Sequence, residues 1–170
     1  VERLMAQTAG DRIGLVVFAG ESYVQCPLTT DVAAVKLFLE SLSPGMVATQ
    51  GTAVGSAIRT CWTGFDEHSE AARTVVVLTD GENHEDDVVS AAAEVAQEGG
   101  NVHFLGLATL EGAPIPAFDV RGNPSGFRTD RQGNAVVSKL DEATLIEAAQ
   151  AGQGTYTRAG TGFVDLNPLI

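Results

Sequence analysis

The segment Thr74-Val-Val-Val-Leu-Thr-Asp-Gly81 constrains this chain more than any other. Thr74 to Leu78 are β-branched or aliphatic and no charge interrupts them, which reads as a strand buried on both faces, as in a parallel sheet. The run ends abruptly at Thr79, Asp80 and Gly81. A carboxylate therefore sits at the carboxyl end of a central strand, where open α/β sheets place their binding crevices. That position makes Asp80 a candidate ligand.

The rest of the pattern alternates strands with helices. Ile13 to Ala19 is a second apolar run, and Glu21 to Pro27 follows a Gly-Glu turn as the other arm of a hairpin, with Pro27 suited to an edge strand. Thr30 or Asp31 can cap a helix to about Leu42, with Val35, Phe38, Leu39 and Leu42 inward. A polar loop, Ala48 to Thr52, leads into a helix through about Trp62. Asp86 or Asp87 opens another, through Val88, Ala92 and Val95, and Val102 to Ala108 is again strand-like. Phe127 to Lys139, with Asp130-Arg-Gln-Gly-Asn134 at its middle, reads as a hairpin within an insertion over about 110–140. Asp141 caps a last helix, and Thr155 to Ala159 is a short final strand. The pattern predicts one domain over 1–170, with a doubly wound, mostly parallel sheet and one antiparallel edge strand.

Bulk properties exclude several functions. Ten basic against 22 acidic residues give a net charge of −12, and the chain holds no basic cluster, so nucleic acid is not an expected partner. No run reaches the roughly 18 apolar residues of a membrane span, and no signal peptide is visible. Cys26 and Cys61 form no C-x-x-C pair, so neither a zinc site nor a thioredoxin-like centre is indicated. The sequence has no G-x-S-x-G elbow, no G-x-G-x-x-G after a strand and no G-x-x-x-x-G-K, and so lacks a hydrolase nucleophile and a nucleotide cradle.

Two residues remain as candidate ligands. Thr52 precedes a helix in Gln50-Gly-Thr-Ala-Val-Gly55, and Asp80 follows the central strand. A hydroxyl and a carboxylate are hard oxygen donors suited to Mg²⁺ or Ca²⁺. The plainer reading makes Thr52 a helix N-cap and Asp80 a turn former. Glu82, His84, Glu85, Asp86 and Asp87 read as a solvated helix start. His68 falls in a polar loop, His103 reads as a satisfied core histidine, and Trp62 as core. Arg128, Arg131 and Lys139 make the insertion a candidate contact arm or a solvated excursion.

The series Asp11-Arg-Ile-Gly-Leu-Val-Val-Phe-Ala-Gly20, Pro27-Leu-Thr-Thr-Asp31, Gln50-Gly-Thr-Ala-Val-Gly55 and Val77-Leu-Thr-Asp-Gly-Glu82 resembles a von Willebrand factor type A domain. Glu111-Gly-Ala-Pro-Ile-Pro116, Asp130 to Val137 and Gly154-Thr-Tyr-Thr-Arg158 narrow the resemblance to the bacterial aerotolerance (Bat) proteins. It implies a metal-ion-dependent adhesion site on the carboxyl edge, built from an Asp-x-Ser-x-Ser motif, a Thr and an Asp. Thr52 matches the second element and Asp80 the third. It also implies a divalent cation (Mg²⁺, or Mn²⁺ or Ca²⁺) whose open position takes a carboxylate from a protein partner, hence binding without turnover. Partners implied are other Bat-type proteins or a MoxR-type ATPase system. The implied location is a bacterial membrane, with this domain in the periplasm.

The chain departs from that pattern. It has no Asp-x-Ser-x-Ser, and the strand that carries this motif, between the Ile13 and Thr74 strands, is missing. Truncation upstream of Val1 is the simplest expectation. Metal affinity should then be poor, because two donors leave the cation mostly to water. The flanking strands either expose unpaired backbone edges or close up on each other. Two other readings stand beside the binding module: a metal-dependent hydrolase or phosphotransfer enzyme using Asp80, and a metal-free structural interaction domain.

Overall fold

The computed structural model describes residues 2–8, 10–43, 51–66, 69, 71–80, 87–107, 113–114, 116–118, 124–127, 129, 133, 137–138 and 141–159. Helix α1 (Glu2–Gln7) leads through a turn at Gly10 to a hairpin of β1 (Ile13–Phe18) and β2 (Ser22–Thr29). Helices α2 (Val32–Glu40) and α3 (Val54–Thr63) follow, then β3 (Thr74–Thr79), α4 (Val88–Gln97) and β4 (Asn101–Gly106). Short strands β5 (Ala113–Pro114), β6 (Pro116–Phe118), β7 (Pro124–Phe127) and β8 (Val137–Ser138) precede α5 (Glu142–Ala151) and β9 (Tyr156–Arg158). Asp31, Asp87 and Asp141 each accept a hydrogen bond from a backbone N–H of the first turn they precede. These carboxylates satisfy donors that a helix start otherwise leaves unpaired.

Strands β3, β4 and β9 form a parallel sheet in that order, with Val75 opposite Val102 and Val77 opposite Phe104. Strands β1 and β2 pair antiparallel in a separate sheet, with Pro27 on the outer strand. The alternative in which the Ile13 and Thr74 strands close up is therefore not realised.

Val75, Val77, Val102 and Phe104 share one face and bury against Val54 and Ile58 of α3, Val88, Ala91, Ala92 and Val95 of α4, and Leu145, Ala148 and Ala149 of α5. Phe18 of β1 joins the same core. The hairpin has a second, smaller core of Met5, Cys26 and Val35, lined by Ile13, Leu15 and Val32. Helices thus lie on both faces of the hairpin, α3 on one and α1 and α2 on the other, while α3, α4 and α5 cover one face of the parallel sheet. At Gly154 the chain passes so close to the Val102 carbonyl that a Cβ would collide with backbone, which lets β9 dock beside β4.

Several expectations are corrected. The Thr74–Leu78 run is not buried on both faces: Val75 and Val77 are buried, Val76 and Leu78 only partly. Phe38 does not point inward but is 40% exposed, because the small hairpin core is filled by Val35. The insertion is not a hairpin from Phe127 to Lys139. Phe127 pairs with Pro116 and Val137 with Pro114, giving two nested antiparallel ladders. Two-stranded ladders have only edge strands, so Pro114, Pro116 and Pro124 are tolerated within them.

Candidate functional site

Helix α3 fixes where the two candidate ligands lie. Its last turn sits at the amino end of the parallel sheet. The Trp62 indole lies against Gly100, just before β4, and the Arg73 guanidinium, just before β3, stacks 4.3 Å from its ring centre. The Trp62 Nε1–H donates to Glu98 at 2.6 Å, and Arg73 donates to the Glu98 carbonyl at 2.7 Å. A ten-residue helix rises about 15 Å, and a six-residue strand about 20 Å. Running back along the sheet, α3 therefore starts near the carboxyl ends of β1 and β3. Its first turn is pinned there by the Ala53 N–H, which donates to the Ala19 carbonyl, just past β1, at 2.7 Å.

Thr52 and Asp80 consequently occupy the same rim, one beside the end of β1 and the other at the end of β3. Thr52 is not the N-cap. Ala53 holds that position and makes no side-chain cap, so the plainer reading of Thr52 does not hold. Gly51 has φ +145°, a conformation that side-chain-bearing residues rarely adopt, and it turns the chain into this approach. Asp80 is exposed, and the Thr79 carbonyl before it accepts from the Leu107 N–H at 2.8 Å. Glu82, His84, Glu85 and Asp86 lie outside the described residues, as do Gly81, His68, Arg128, Arg131 and Lys139.

A sequence reading did not single out the hydroxyl cluster that secures this rim. Ser22 Oγ lies 2.8 Å from Ser56 Oγ and 2.7 Å from Thr60 Oγ1, tying the start of β2 to the first turns of α3. The i, i+4 spacing of Ser56 and Thr60 was the available signal.

The other titratable candidates are structural. Asp87 caps α4, and its hydrogen bonds from Ser90 hold its carboxyl below the usual range. His103 Nδ1 accepts from the Thr155 N–H at 3.1 Å and lies 2.9 Å from its hydroxyl, while burial lowers its affinity for a proton. It is hydrogen-bonded as expected, but it is only partly buried and is not a core residue. Both cysteines are free, and burial pushes the Cys61 thiol up to about 11, far from a reactive thiolate.

The donor chemistry at the rim suits a hard cation, but the set is partial. Such ions take six to eight oxygens, and among the described residues no three His, Cys, Asp or Glu side chains converge on one point. Thr52 and Asp80 supply, from their side-chain types, a hydroxyl and a carboxylate, short of that number of oxygens.

A Rossmann-like α/β domain with a polar rim at its carboxyl edge is the class that fold and site define. Residues 1–153 match the von Willebrand factor type A domain, and the chain belongs to that family. It is 40% identical to an aerotolerance-related membrane protein from Bacteroides fragilis NCTC 9343 whose solved structure carries multiple mutations to serines (TM-score 0.87, covering 94% of this chain and 77% of that one). It is equally similar to the conserved hypothetical protein BatB from Bacteroides thetaiotaomicron (40% identity, TM-score 0.86, 94% and 76% covered). The fold extends to proximal thread matrix protein 1 of the mussel byssus, in a form with a zinc-occupied MIDAS motif (16% identity, TM-score 0.65, 94% and 34% covered). Among curated proteins, a penicillin-binding protein 1A of Vibrio cholerae is 33% identical over 97 residues, which is 54% of this chain and only 11% of that protein. Among the described residues no helix is long and apolar enough to cross a membrane.

Proposed function

We propose that this domain is a protein-binding module of a Bat-like bacterial protein and engages its partner at the carboxyl rim, without chemical turnover. Family membership supports this, since type A domains often mediate protein interaction and metal-dependent binding. What supports it is the direction of the elements: Thr52 precedes the start of α3, which the Ala53 N–H ties to the Ala19 carbonyl just past β1, and Asp80 follows the end of β3. In the complete site both residues serve a divalent cation, Mg²⁺ or Mn²⁺, with Thr52 near the ion and Asp80 acting largely through water. The open position takes a carboxylate of the partner.

Charge supports a cation at this contact. With a net charge of −12, the chain repels an acidic partner surface unless a cation stands between them. Candidate partners are other Bat-type proteins or a MoxR-type ATPase system, with the domain membrane-anchored and periplasmic. A metal-free interaction domain is the second reading, favoured by the lack of a converging ligand cluster among the described residues.

Calorimetric titration with Mn²⁺ tests the first reading. Weak binding that disappears in Asp80→Ala and in Thr52→Ala is expected. Equal binding by wild type and Asp80→Ala would move the ion elsewhere, and no binding by any form favours the metal-free reading.

A further inference from the structure

Helix α3 follows Thr52 directly, so whatever fixes this helix along its own axis also fixes Thr52 on the rim. Val54 and Ile58 of α3 are fully buried in the main core. Apolar contact is non-directional, so it holds the depth of the helix more firmly than its slide along that axis or its roll about it. A slide of one residue is about 1.5 Å. That exceeds the roughly 0.5 Å range over which a hydroxyl–hydroxyl bond keeps its length. Directional links are therefore what set the axial position.

Two side-chain links of this kind reach α3 from other elements. On the α4 side, the Arg59 guanidinium donates to both Glu94 carboxylate oxygens, at 2.7 and 2.8 Å. Both side chains are about half exposed, so water and salt weaken the pair. On the hairpin side the link is uncharged and part-buried. Ser22 Oγ lies 2.8 Å from Ser56 Oγ and 2.7 Å from Thr60 Oγ1. One hydroxyl carries one proton, so Ser22 donates to one of the two and accepts from the other. Ser56 and Thr60 are one turn apart on one helix face, so a slide or a roll of α3 lengthens at least one of the bonds. Ser22 opens β2 just after the Ala19–Glu21 turn, and the Ala19 carbonyl of that turn accepts the Ala53 N–H. The hairpin turn thus grips the start of α3 twice, at Ala53 and at Ser56, where the N-cap itself makes no side-chain bond.

We infer that Ser22 is a positioning residue for the rim: its hydroxyl sets the register of α3 against the hairpin, and through α3 the place at which Thr52 stands. Ser22 acts through the helix and is not itself a ligand. The inference rests on the reading that Thr52 works at this rim, and it does not depend on which other groups complete the site.

Ser22→Ala removes the hydroxyl and Ser22→Thr keeps it, and both are compared with the unaltered protein where all three are folded by circular dichroism. Hydrogen exchange is read at the Ala53 amide, with Val77 and Phe104 of the parallel sheet as references. In Ser22→Ala the Ala53 amide exchanges about tenfold faster while the references hold, and in Ser22→Thr it stays within about twofold of the unaltered protein. Thr60→Val, which removes one partner hydroxyl at constant shape, gives a smaller change in the same direction. Unchanged Ala53 protection in Ser22→Ala and Thr60→Val would overturn the inference. So would acceleration of all three amides together, which marks a general loss of stability, or a Ser22→Thr as fast as Ser22→Ala. Mn²⁺ titration is the second measurement. Ser22→Ala should bind about tenfold more weakly and Ser22→Thr as the unaltered protein does; equal affinity in all three overturns the inference, because the site then ignores the helix register. No Mn²⁺ binding by the unaltered protein would sink the metal role of Thr52 instead, and the exchange rates alone then decide whether Ser22 places α3.

Discussion

Strand β1 of the hairpin and strand β3 of the parallel sheet are similarly apolar and end up in different states of burial. No residue of β1 is fully buried, whereas Val75, Val77, Val102 and Phe104 are nearly inaccessible. The difference lies in what covers them. Three helices, α3, α4 and α5, close over one face of the parallel sheet. Among the described residues the far face of the hairpin has α1 and α2, whose contribution to the core is Met5 and Val35. Strand composition therefore decides that a segment can be interior; how many large apolar side chains pack on its face decides whether it is.

Substitutions that empty each core sharpen this contrast. Phe104→Ala removes the largest fully buried side chain and should lower the unfolding free energy by about 3–5 kcal/mol in urea titration. A loss below about 1 kcal/mol would mean that the parallel sheet is no better packed than the hairpin. Met5→Ala, in the smaller core, should cost about 2 kcal/mol, the low end for such deletions. Its hairpin amides should also exchange faster than those of β4. If both regions speed up equally, they unfold as one unit and the contrast is one of packing alone.

Much of the parallel sheet was legible in the sequence because its signals are local. Thr74–Leu78 announces a strand by its run of β-branched residues, and Asp31, Asp87 and Asp141 announce helix starts by the capping chemistry of a carboxylate. Thr52 and Asp80 could be placed on one rim because strand–helix alternation fixes the direction of each element. What was not legible depended on layers remote in sequence. Val76 and Leu78 read the same as Val75 and Val77, and only the packing of α3, α4 and α5 distinguishes them. Phe38 read as inward from its helical spacing, but spacing cannot report that Val35 already fills the site. The ladder register of the insertion was not legible because Phe127 and Val137 pair with Pro116 and Pro114, which lie further back in the chain than a hairpin partner would.

The next expected effect is pH-dependent and belongs to β4. His103 accepts the Thr155 N–H through Nδ1 and is neutral in the fold, with its folded pKa below the ordinary 6.5 because of burial. The unfolded chain thus binds more protons than the native one between the two pKa values, so stability rises with pH there. This contribution is present above about pH 6.5 and is lost as pH falls through that value toward the folded pKa. Asp87 and Glu94, whose pKa values are lowered, lose their contributions only in the carboxylate range further down. His103→Gln should therefore flatten the stability profile between pH 7 and 5 while leaving the lower acid limb in place. An unchanged profile would mean that the histidine is solvated in the fold and that the β4–β9 junction is looser than the rest of its sheet.

The smallest effect tests the hairpin side directly. Leu37 is 68% exposed on α2, beside the exposed Phe38. If nothing covers that helix face in the isolated domain, Leu37→Ser removes little from water-excluded surface and should change the unfolding free energy by no more than about 0.5 kcal/mol. The substitution instead removes exposed apolar area, so the variant should stay in solution to higher protein concentration. A loss above about 1.5 kcal/mol, the scale of fully burying such a side chain, would show that α2 is covered in solution. The hairpin would then carry a second layer like that of the parallel sheet, and the contrast in burial would vanish.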